Sequence, residues 1–271
     1  MPELPEVETT KRGIQPNVEQ QTIRDIVIRD GRLRWPVDET LPQKLPGLVI
    51  SGIQRRAKYL LLKTERGHLI IHLGMSGNLR VLPHDHPPVK HDHIDLILDN
   101  GYLLRYHDPR RFGCWLWTEA PPEEHDLLKA LGPEPLTDAF NADHLLQKAN
   151  NRKVAIKTFI MTNAVVVGVG NIYANEALFL SGLHPARPAH SLTRPEAERL
   201  VDHIKQVLAA AIEQGGTTLK DFLSPSGQPG YFEQKLHVYG RDKQPCPTCD
   251  QPVQKTVLNQ RAAYFCEHCQ K

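Results

Sequence analysis

Both ends of the chain carry residues whose types and spacing could do chemistry. Cys246-Pro-Thr-Cys249 and Cys266-Glu-His-Cys269 are separated by 16 residues. Each Cys-x-x-Cys pair can supply two thiolates to one tetrahedral ion, and this is the spacing of a zinc ribbon. Two disulfides would use the same four residues. A chain opening Met-Pro-Glu-Leu-Pro-Glu has neither a basic nor an apolar leader, so export to a compartment that keeps disulfides is not expected. Four thiolates suffice, which makes His268 a bystander, and Cys114, between Gly113 and Trp115, reads as buried filler.

At the other end, methionine before proline is normally removed, which would leave Pro2 with a secondary amine. Such an amine titrates near neutrality, and the positive end of a helix would favour its uncharged form further. Its attack on a sugar aldehyde carbon gives an iminium with no N–H proton to lose, an electron sink for elimination. Proline at a helix start is also simply structural. Glu3 and Glu6, three apart, would share a helix face beside the amine and could move protons there. Two acids at a helix start also suit the dipole without any chemistry.

These residues need elements to position them. After a short leading helix, β-rich runs occupy 22–28, 48–54, 59–64, 68–73, 79–82, 93–98, 102–106 and 114–118. Glu65-Arg66-Gly67 and Asp99-Asn100-Gly101 read as hairpin turns, and the whole as a two-sheet antiparallel sandwich. The Pro- and Glu-rich stretch after Ala120 reads as a linker. Helical periodicity then covers 143–150, 154–162, 172–181 and 195–214, with Thr193 and Glu196 as a capping box and Gly215-Gly216 as a stop.

A length of 271 residues suits about two domains. With 40% hydrophobic and 24% charged residues the composition is globular, and no apolar run approaches a membrane span. Net charge is only +2, but seven acidic residues against one lysine between Glu119 and Asp143 leave +8 on the rest. Arg55, Arg56, Lys58, Lys63 and Arg66 cluster against Glu65 alone. Such a local excess can attract a polyanion, or can decorate a strand edge against aggregation.

Several blocks occur in one order: the opening Pro-Glu-Leu-Pro-Glu, Arg56-Ala57-Lys58-Tyr59-Leu60, His72-Leu73-Gly74-Met75-Ser76-Gly77, Lys90-His91-Asp92-His93, Asp108-Pro109-Arg110-Arg111-Phe112-Gly113, Gly168-Val169-Gly170-Asn171, and the four cysteines. The set closely resembles bacterial formamidopyrimidine-DNA glycosylase from residue 2 to residue 270. The resemblance implies an α+β protein. An N-terminal catalytic β-sandwich with a leading helix (1–120) and a linker (121–135) would precede a helical helix–two-turns–helix domain (136–236) and a zinc-ribbon β-hairpin (237–271). It implies a bifunctional glycosylase and abasic-site lyase that removes oxidised purines, 8-oxoguanine and formamidopyrimidines, by a proline Schiff base followed by β,δ-elimination.

Carried over by motif, Pro2 would be the nucleophile, Glu3 the adjacent proton donor and Glu6 a supporting acid. Lys58 would give a proton in β-elimination, and Arg261 would serve δ-elimination and clamp a phosphate, a task suited to a permanently charged fork. Met75, Arg110 and Phe112 match an intercalating trio, although a Met and a Phe in such loops are also ordinary core residues. His91, Arg110, Arg152 and Asn171 match DNA-binding positions, with His72, Lys157 and Tyr239 beside them. Thr217 and Thr218, with the stretch 227–231, match a lesion-sensing loop. Two positions depart from the pattern: Ala263 replaces a Ser or Thr, and Ser76 stands where some relatives carry Glu.

The expected cofactor is one structural Zn2+ on Cys246, Cys249, Cys266 and Cys269, with no organic cofactor. The expected partner is double-stranded DNA containing oxidised purines or abasic sites. No membrane association is expected, and the chain should be a monomer in the bacterial cytoplasm at the nucleoid. An endonuclease VIII-type glycosylase for oxidised pyrimidines would begin Pro-Glu-Gly-Pro-Glu and lack the trio, so Leu4 argues against it. A catalytically silent zinc-ribbon DNA-binding protein is the other reading.

Overall fold

Leu4, Val7, Ile14 and Val18 recur at helical spacing, and all four are buried in helix α1, Leu4–Val18. The computed structural model describes residues 2–215 and 236–271, which divide into two compact units. The first holds residues 2–129 and 214–215, and the second 130–213 and 236–271.

In the first unit α1 is followed by β1 (Ile23–Ile28), a one-turn helix α2 (Leu41–Lys44), β2 (Gly52–Arg56), β3 (Tyr59–Lys63), β4 (His68–His72), β5 (Asn78–Pro83), β6 (Asp92–Leu98), β7 (Tyr102–His107) and β8 (Cys114–Thr118). They form two antiparallel four-stranded sheets, ordered β1-β6-β7-β5 and β2-β3-β4-β8. One core lies between them: Ile26, Ile94, Leu96 and Leu104 from one sheet meet Leu60, Leu62, Ile71 and Trp115 from the other, with Val7 and Ile14 of α1. The sandwich with its leading helix is therefore present. The strand expected at 48–54 lies later, at Gly52–Arg56. Val49 makes only an isolated bridge with Thr22, and Ile50 donates its N–H to the Gln21 carbonyl, so this stretch has no continuous ladder.

The second unit contains α3 (Ala142–Ala149), α4 (Ile156–Ile160), α5 (Asn171–Leu180), α6 (Arg194–Glu213) and the hairpin β9 (Gln254–Leu258) and β10 (Arg261–Phe265). The turn at 193–196 is half of a capping box. The Glu196 carboxylate accepts the Thr193 N–H at 2.9 Å, while the Thr193 hydroxyl donates to that carboxylate instead of accepting a helix amide. Residues 130–135, within the stretch expected to link the domains, bond into this unit: Gly132 N–H donates to the Asn163 carbonyl and Val167 N–H to that of Pro133. Among the described residues no helix is long and apolar enough to cross a membrane.

Candidate active site and nucleic-acid interface

The helix α1 opens at Leu4, so Pro2 lies just before it and Glu3 is its N-cap residue. Glu3 and Glu6 do not stand side by side on a helical face. The Glu6 carboxylate turns back to accept the Glu3 N–H at 2.8 Å, and the Glu3 side chain accepts the Glu6 amide, a reciprocal box. This fixes Glu3 to the first turn of α1, directly after Pro2, and Pro2, Glu3 and Glu6 are all buried.

Lys58 occupies the two-residue turn between β2 and β3, whose last pair is Arg56 with Tyr59. Its neighbour Ala57 has φ 53°, a left-handed conformation that a side chain disfavours. Arg55 holds this turn to the helix: its Nε donates to Glu8 Oε2 at 2.9 Å and its Nη1 to the Ala57 carbonyl at 3.0 Å. Glu8 also accepts from Lys11 at 3.0 Å, and these cations hold its carboxyl below the usual range despite burial. A short chain of contacts thus runs from α1 to the backbone beside Lys58. In the sequence Arg55 was only one member of a basic cluster and Glu8 carried no signal, because their pairing spans 47 positions.

His72, opposite Tyr59 on β4, packs its ring against that tyrosine at 4.8 Å. Burial, with the Lys58 and Arg34 charges close by, pushes its pKa down to about 4, so near neutrality it is uncharged and its Nδ1 accepts the Gly74 N–H at 2.9 Å. Beyond it, Met75 and Phe112 are 39% and 41% exposed, which removes the core reading for both. The Arg110 guanidinium lies 4.8 Å over the Phe112 ring. His91 has φ 74° and packs edge-on against His93 and His107; partial desolvation, with the nearby Lys90 cation, pushes its pKa down. Pro2, Glu3, Glu6, Lys58, His72, Met75, His91, Arg110 and Phe112 all belong to the first unit.

The second unit gathers the others. Arg261 is exposed beside a turn in which Asn259 and Gln260 have φ 46° and 61°, the twist a two-residue hairpin favours. The carbonyl next to it, on Ala262, accepts from the buried Lys157 ammonium at 2.8 Å and from Asn171 Nδ2 at 3.1 Å. Both residues therefore set the hairpin tip, and with Arg261 in place Lys157 lines an open groove of about 220 Å³. Asn175 Oδ1 accepts the Tyr264 N–H at 2.7 Å, and Tyr239 packs on Tyr264 at 5.2 Å. Glu176, buried on α5, accepts the N–H groups of His237, Val238 and Tyr239 at 2.7–3.0 Å. Asn175 and Glu176 carried no sequence signal. Arg152 is exposed after α3, its carbonyl accepting from His190. Thr217, Thr218 and 227–231 lie outside the described residues.

The four cysteine sulfurs lie within 4.8 Å of one another, with Cys246 to Cys269 at 3.9 Å and Cys249 to Cys266 at 3.4 Å, and none is in a disulfide. Tetrahedral Zn–S bonds of about 2.3 Å place sulfurs about 3.8 Å apart, so the set fits one zinc ion. His268 is exposed and outside the set, and Cys114 is buried.

Three family descriptions match in order: "Formamidopyrimidine-DNA glycosylase N-terminal domain" over residues 1–115, "Formamidopyrimidine-DNA glycosylase H2TH domain" over 131–223, and "Zinc finger found in FPG and IleRS" over 243–271. The formamidopyrimidine-DNA glycosylase of Hydrogenovibrio crunogenus is 74% identical over 271 residues, covering 100% of this chain and 97% of that protein. The chain belongs to the formamidopyrimidine-DNA glycosylase family. The namesake from Vibrio cholerae is 57% identical with both chains covered completely. The crystal structure of the Thermus thermophilus family protein is 40% identical with a TM-score of 0.89, covering 99% of this chain and 98% of that one. That of the Lactococcus lactis glycosylase with N7-benzyl-Fapy-dG DNA is 33% identical with a TM-score of 0.91 over the whole of both chains. As a family member the chain is a DNA repair glycosylase with a zinc-finger module, and the departures from the family pattern find places in it. Ala263 is fully buried in the ribbon, and the Ser76 hydroxyl is turned to Asp108 at 2.8 Å.

Proposed function

We propose that this chain is a bifunctional glycosylase and abasic-site lyase that removes oxidised purines, 8-oxoguanine and ring-opened formamidopyrimidines, from duplex DNA in the bacterial cytoplasm, at the nucleoid. The observation that carries the reading is the conjunction, in one unit, of a braced chain start at Pro2–Glu3, a lysine on a hairpin tied to the same helix, and an exposed Met75–Arg110–Phe112 group.

The target base must leave the stack before its sugar can be reached, at a cost of a few kcal/mol. Met75 and Phe112 fill the gap as an apolar wedge, and Arg110 donates to the acceptors of the orphaned base, which favours cytosine there. The Pro2 nitrogen forms a bond to C1′ as the glycosidic C–N bond breaks and the base departs with its electron pair. Glu3 supplies the proton that opens the sugar ring, and the iminium then draws electrons from C2′ as that carbon's proton passes to the Glu3 carboxylate just formed and the 3′ phosphate leaves. Lys58 provides the proton for this elimination. Arg261 holds a phosphate for the second elimination, and water releases Pro2. His91, Arg152 and Asn171 contact phosphates, with His72 and Tyr239 beside them, while Lys157 acts through the carbonyl next to Arg261. Thr217 and Thr218 read the lesion edge. Zinc held by the four cysteines supplies no chemistry to these steps; it ties the ribbon's two Cys-x-x-Cys turns together.

Borohydride trapping on an 8-oxoguanine duplex tests this reading. The native chain should give a covalent adduct whose mass maps to Pro2. Pro2→Gly should slow excision by at least about 100-fold, the scale of losing an activated nucleophile, and a chain retaining Met1 should be inactive. Full activity with Met1 retained, or a crosslink on a lysine side chain, would refute the amine's role.

A further inference from the structure

The wedge group sits on two loops, Leu73-Gly74-Met75-Ser76-Gly77 and Asp108 to Gly113, which approach at backbone distance. Gly74 has φ 66°, and a Cβ there would lie 2.5 Å from the Phe112 carbonyl carbon. A Cβ on Gly113 would lie 1.8 Å from the Tyr106 hydroxyl and 2.3 Å from the His72 carbonyl. Between the loops lies Asp108, with no exposed surface. Its Oδ1 accepts the Ser76 hydroxyl at 2.8 Å and the Arg110 N–H at 3.3 Å, and its Oδ2 accepts the Tyr106 hydroxyl at 2.9 Å and the Gly113 N–H at 3.0 Å. The Ser76 oxygen accepts the Arg110 N–H in turn, at 3.3 Å. A third segment joins through the main chain, where Asp108 N–H donates to the His91 carbonyl at 3.1 Å. Among the described residues no cation donates to this carboxylate, and its bonds go to hydroxyls and backbone amides that set where three loops stand. A buried carboxylate left short of such donors is costly, and the loops are held to the geometry that supplies them.

We infer that Asp108, with Ser76, is the positioning latch of the wedge, fixing Met75 relative to Arg110 and Phe112, and that the Ser76 hydroxyl serves this latch instead of contacting the lesion. The inference rests on the wedge role given under Proposed function. A flipped base leaves a gap of set size, and an apolar pair held at set separation fills it without first being ordered. The latch touches neither Pro2 nor Lys58, so loosening it should spare the chemistry and damage its coupling to the duplex.

Two substrates separate these effects: an 8-oxoguanine duplex in single-turnover excision, and an abasic site in a single-stranded oligonucleotide, where there is no gap to fill. Ser76→Ala removes one hydroxyl, and the loss of one charge-assisted bond should lower duplex excision by about tenfold. Asp108→Asn keeps the shape but turns an amide toward two of the four donors, and should lower it by about 100-fold or more. Cleavage and borohydride trapping of the single-stranded abasic oligonucleotide should stay within about twofold of native in both, and Ser76→Thr, which keeps a hydroxyl, should restore duplex excision. The excision ratio between cytosine and adenine opposite the lesion should fall with Ser76→Ala, because the Arg110 amide loses a support. Unchanged duplex excision in Ser76→Ala, or equal losses on both substrates, overturns the latch. Absence of trapping by the native chain takes down the reading under Proposed function, and the latch with it.

Discussion

Met75 and Phe112 stand on loops pinned by a buried carboxylate and by four strands of the sandwich, β4, β5, β7 and β8, whereas Arg261 stands on a hairpin whose own core is little more than Val238, Val253 and four cysteines. Both regions present an exposed side chain from a rigid base. In the first the rigidity is made from donors and acceptors within the sandwich, while in the second it is borrowed, from an ion and from Lys157, Asn171, Asn175 and Glu176 of the neighbouring helices. A large core can absorb the cost of ordering two loops, and a module of about 30 residues needs a staple. The two regions should therefore fail under different insults.

Zinc removal should produce the largest separation between them. All three tryptophans, Trp35, Trp115 and Trp117, lie in the first unit, so their fluorescence reports the sandwich alone. Chelation should lower duplex affinity by about 100-fold or more as the ribbon loses its fold. The tryptophan signal and most β-sheet dichroism should be unchanged, and added zinc should restore binding. A tryptophan change in step with zinc loss would break the contrast between a self-supporting and a metal-supported region.

Much of that contrast was legible in the sequence and some was not, for physical reasons. Cysteine spacing encodes a metal site because both pairs are local, and Asn100-Gly101 encodes a turn because only local conformation is at stake. Asp108 stood in the sequence only as the first residue of a motif block: its donors among the described residues come from Ser76, Tyr106, Arg110 and Gly113, and no local rule brings Ser76 there. Glu176 is one acid on a helix until 61 residues later the chain returns its amides to it. Val49 and Ile50 have β-forming side chains, but a strand requires a continuous ladder, and they meet only an isolated bridge to Thr22 and two backbone bonds to residues 20 and 21. Lys157 matched a DNA-binding position, and its burial against a backbone carbonyl makes its contribution to Arg261 indirect.

That indirect role gives a sharper test of the borrowed rigidity. Lys157→Met keeps the stem length and deletes the ammonium that holds the Ala262 carbonyl, a bond to a charged group on the order of 2 kcal/mol. The share of product that proceeds from the first elimination to the second, read on a gel from an abasic duplex, should fall by about three- to tenfold, because Arg261 is no longer fixed. Zinc content and the tryptophan signal should match native. Loss of zinc in this variant would show that α4 supports the whole ribbon and not its tip.

The smallest effect concerns acid, and it falls on the first unit through His72. With its pKa held near 4 against an ordinary 6.5, this ring stays uncharged in the fold while the unfolded chain takes up a proton as pH falls. Its contribution is therefore whole above pH 6.5 and is lost progressively between 6.5 and 4. That linkage is on the order of 2 kcal/mol, discounted for the ring's partial exposure. Urea unfolding followed by tryptophan fluorescence should show native protein losing about that much more stability between pH 7 and pH 4.5 than His72→Gln, which keeps an acceptor for the Gly74 amide but cannot titrate. Because all three tryptophans lie in the first unit, changes in the ribbon do not enter the difference. Equal pH slopes in the two proteins would mean that the Gly74 turn is held without a neutral imidazole, and that the first unit's rigidity rests on Asp108 alone.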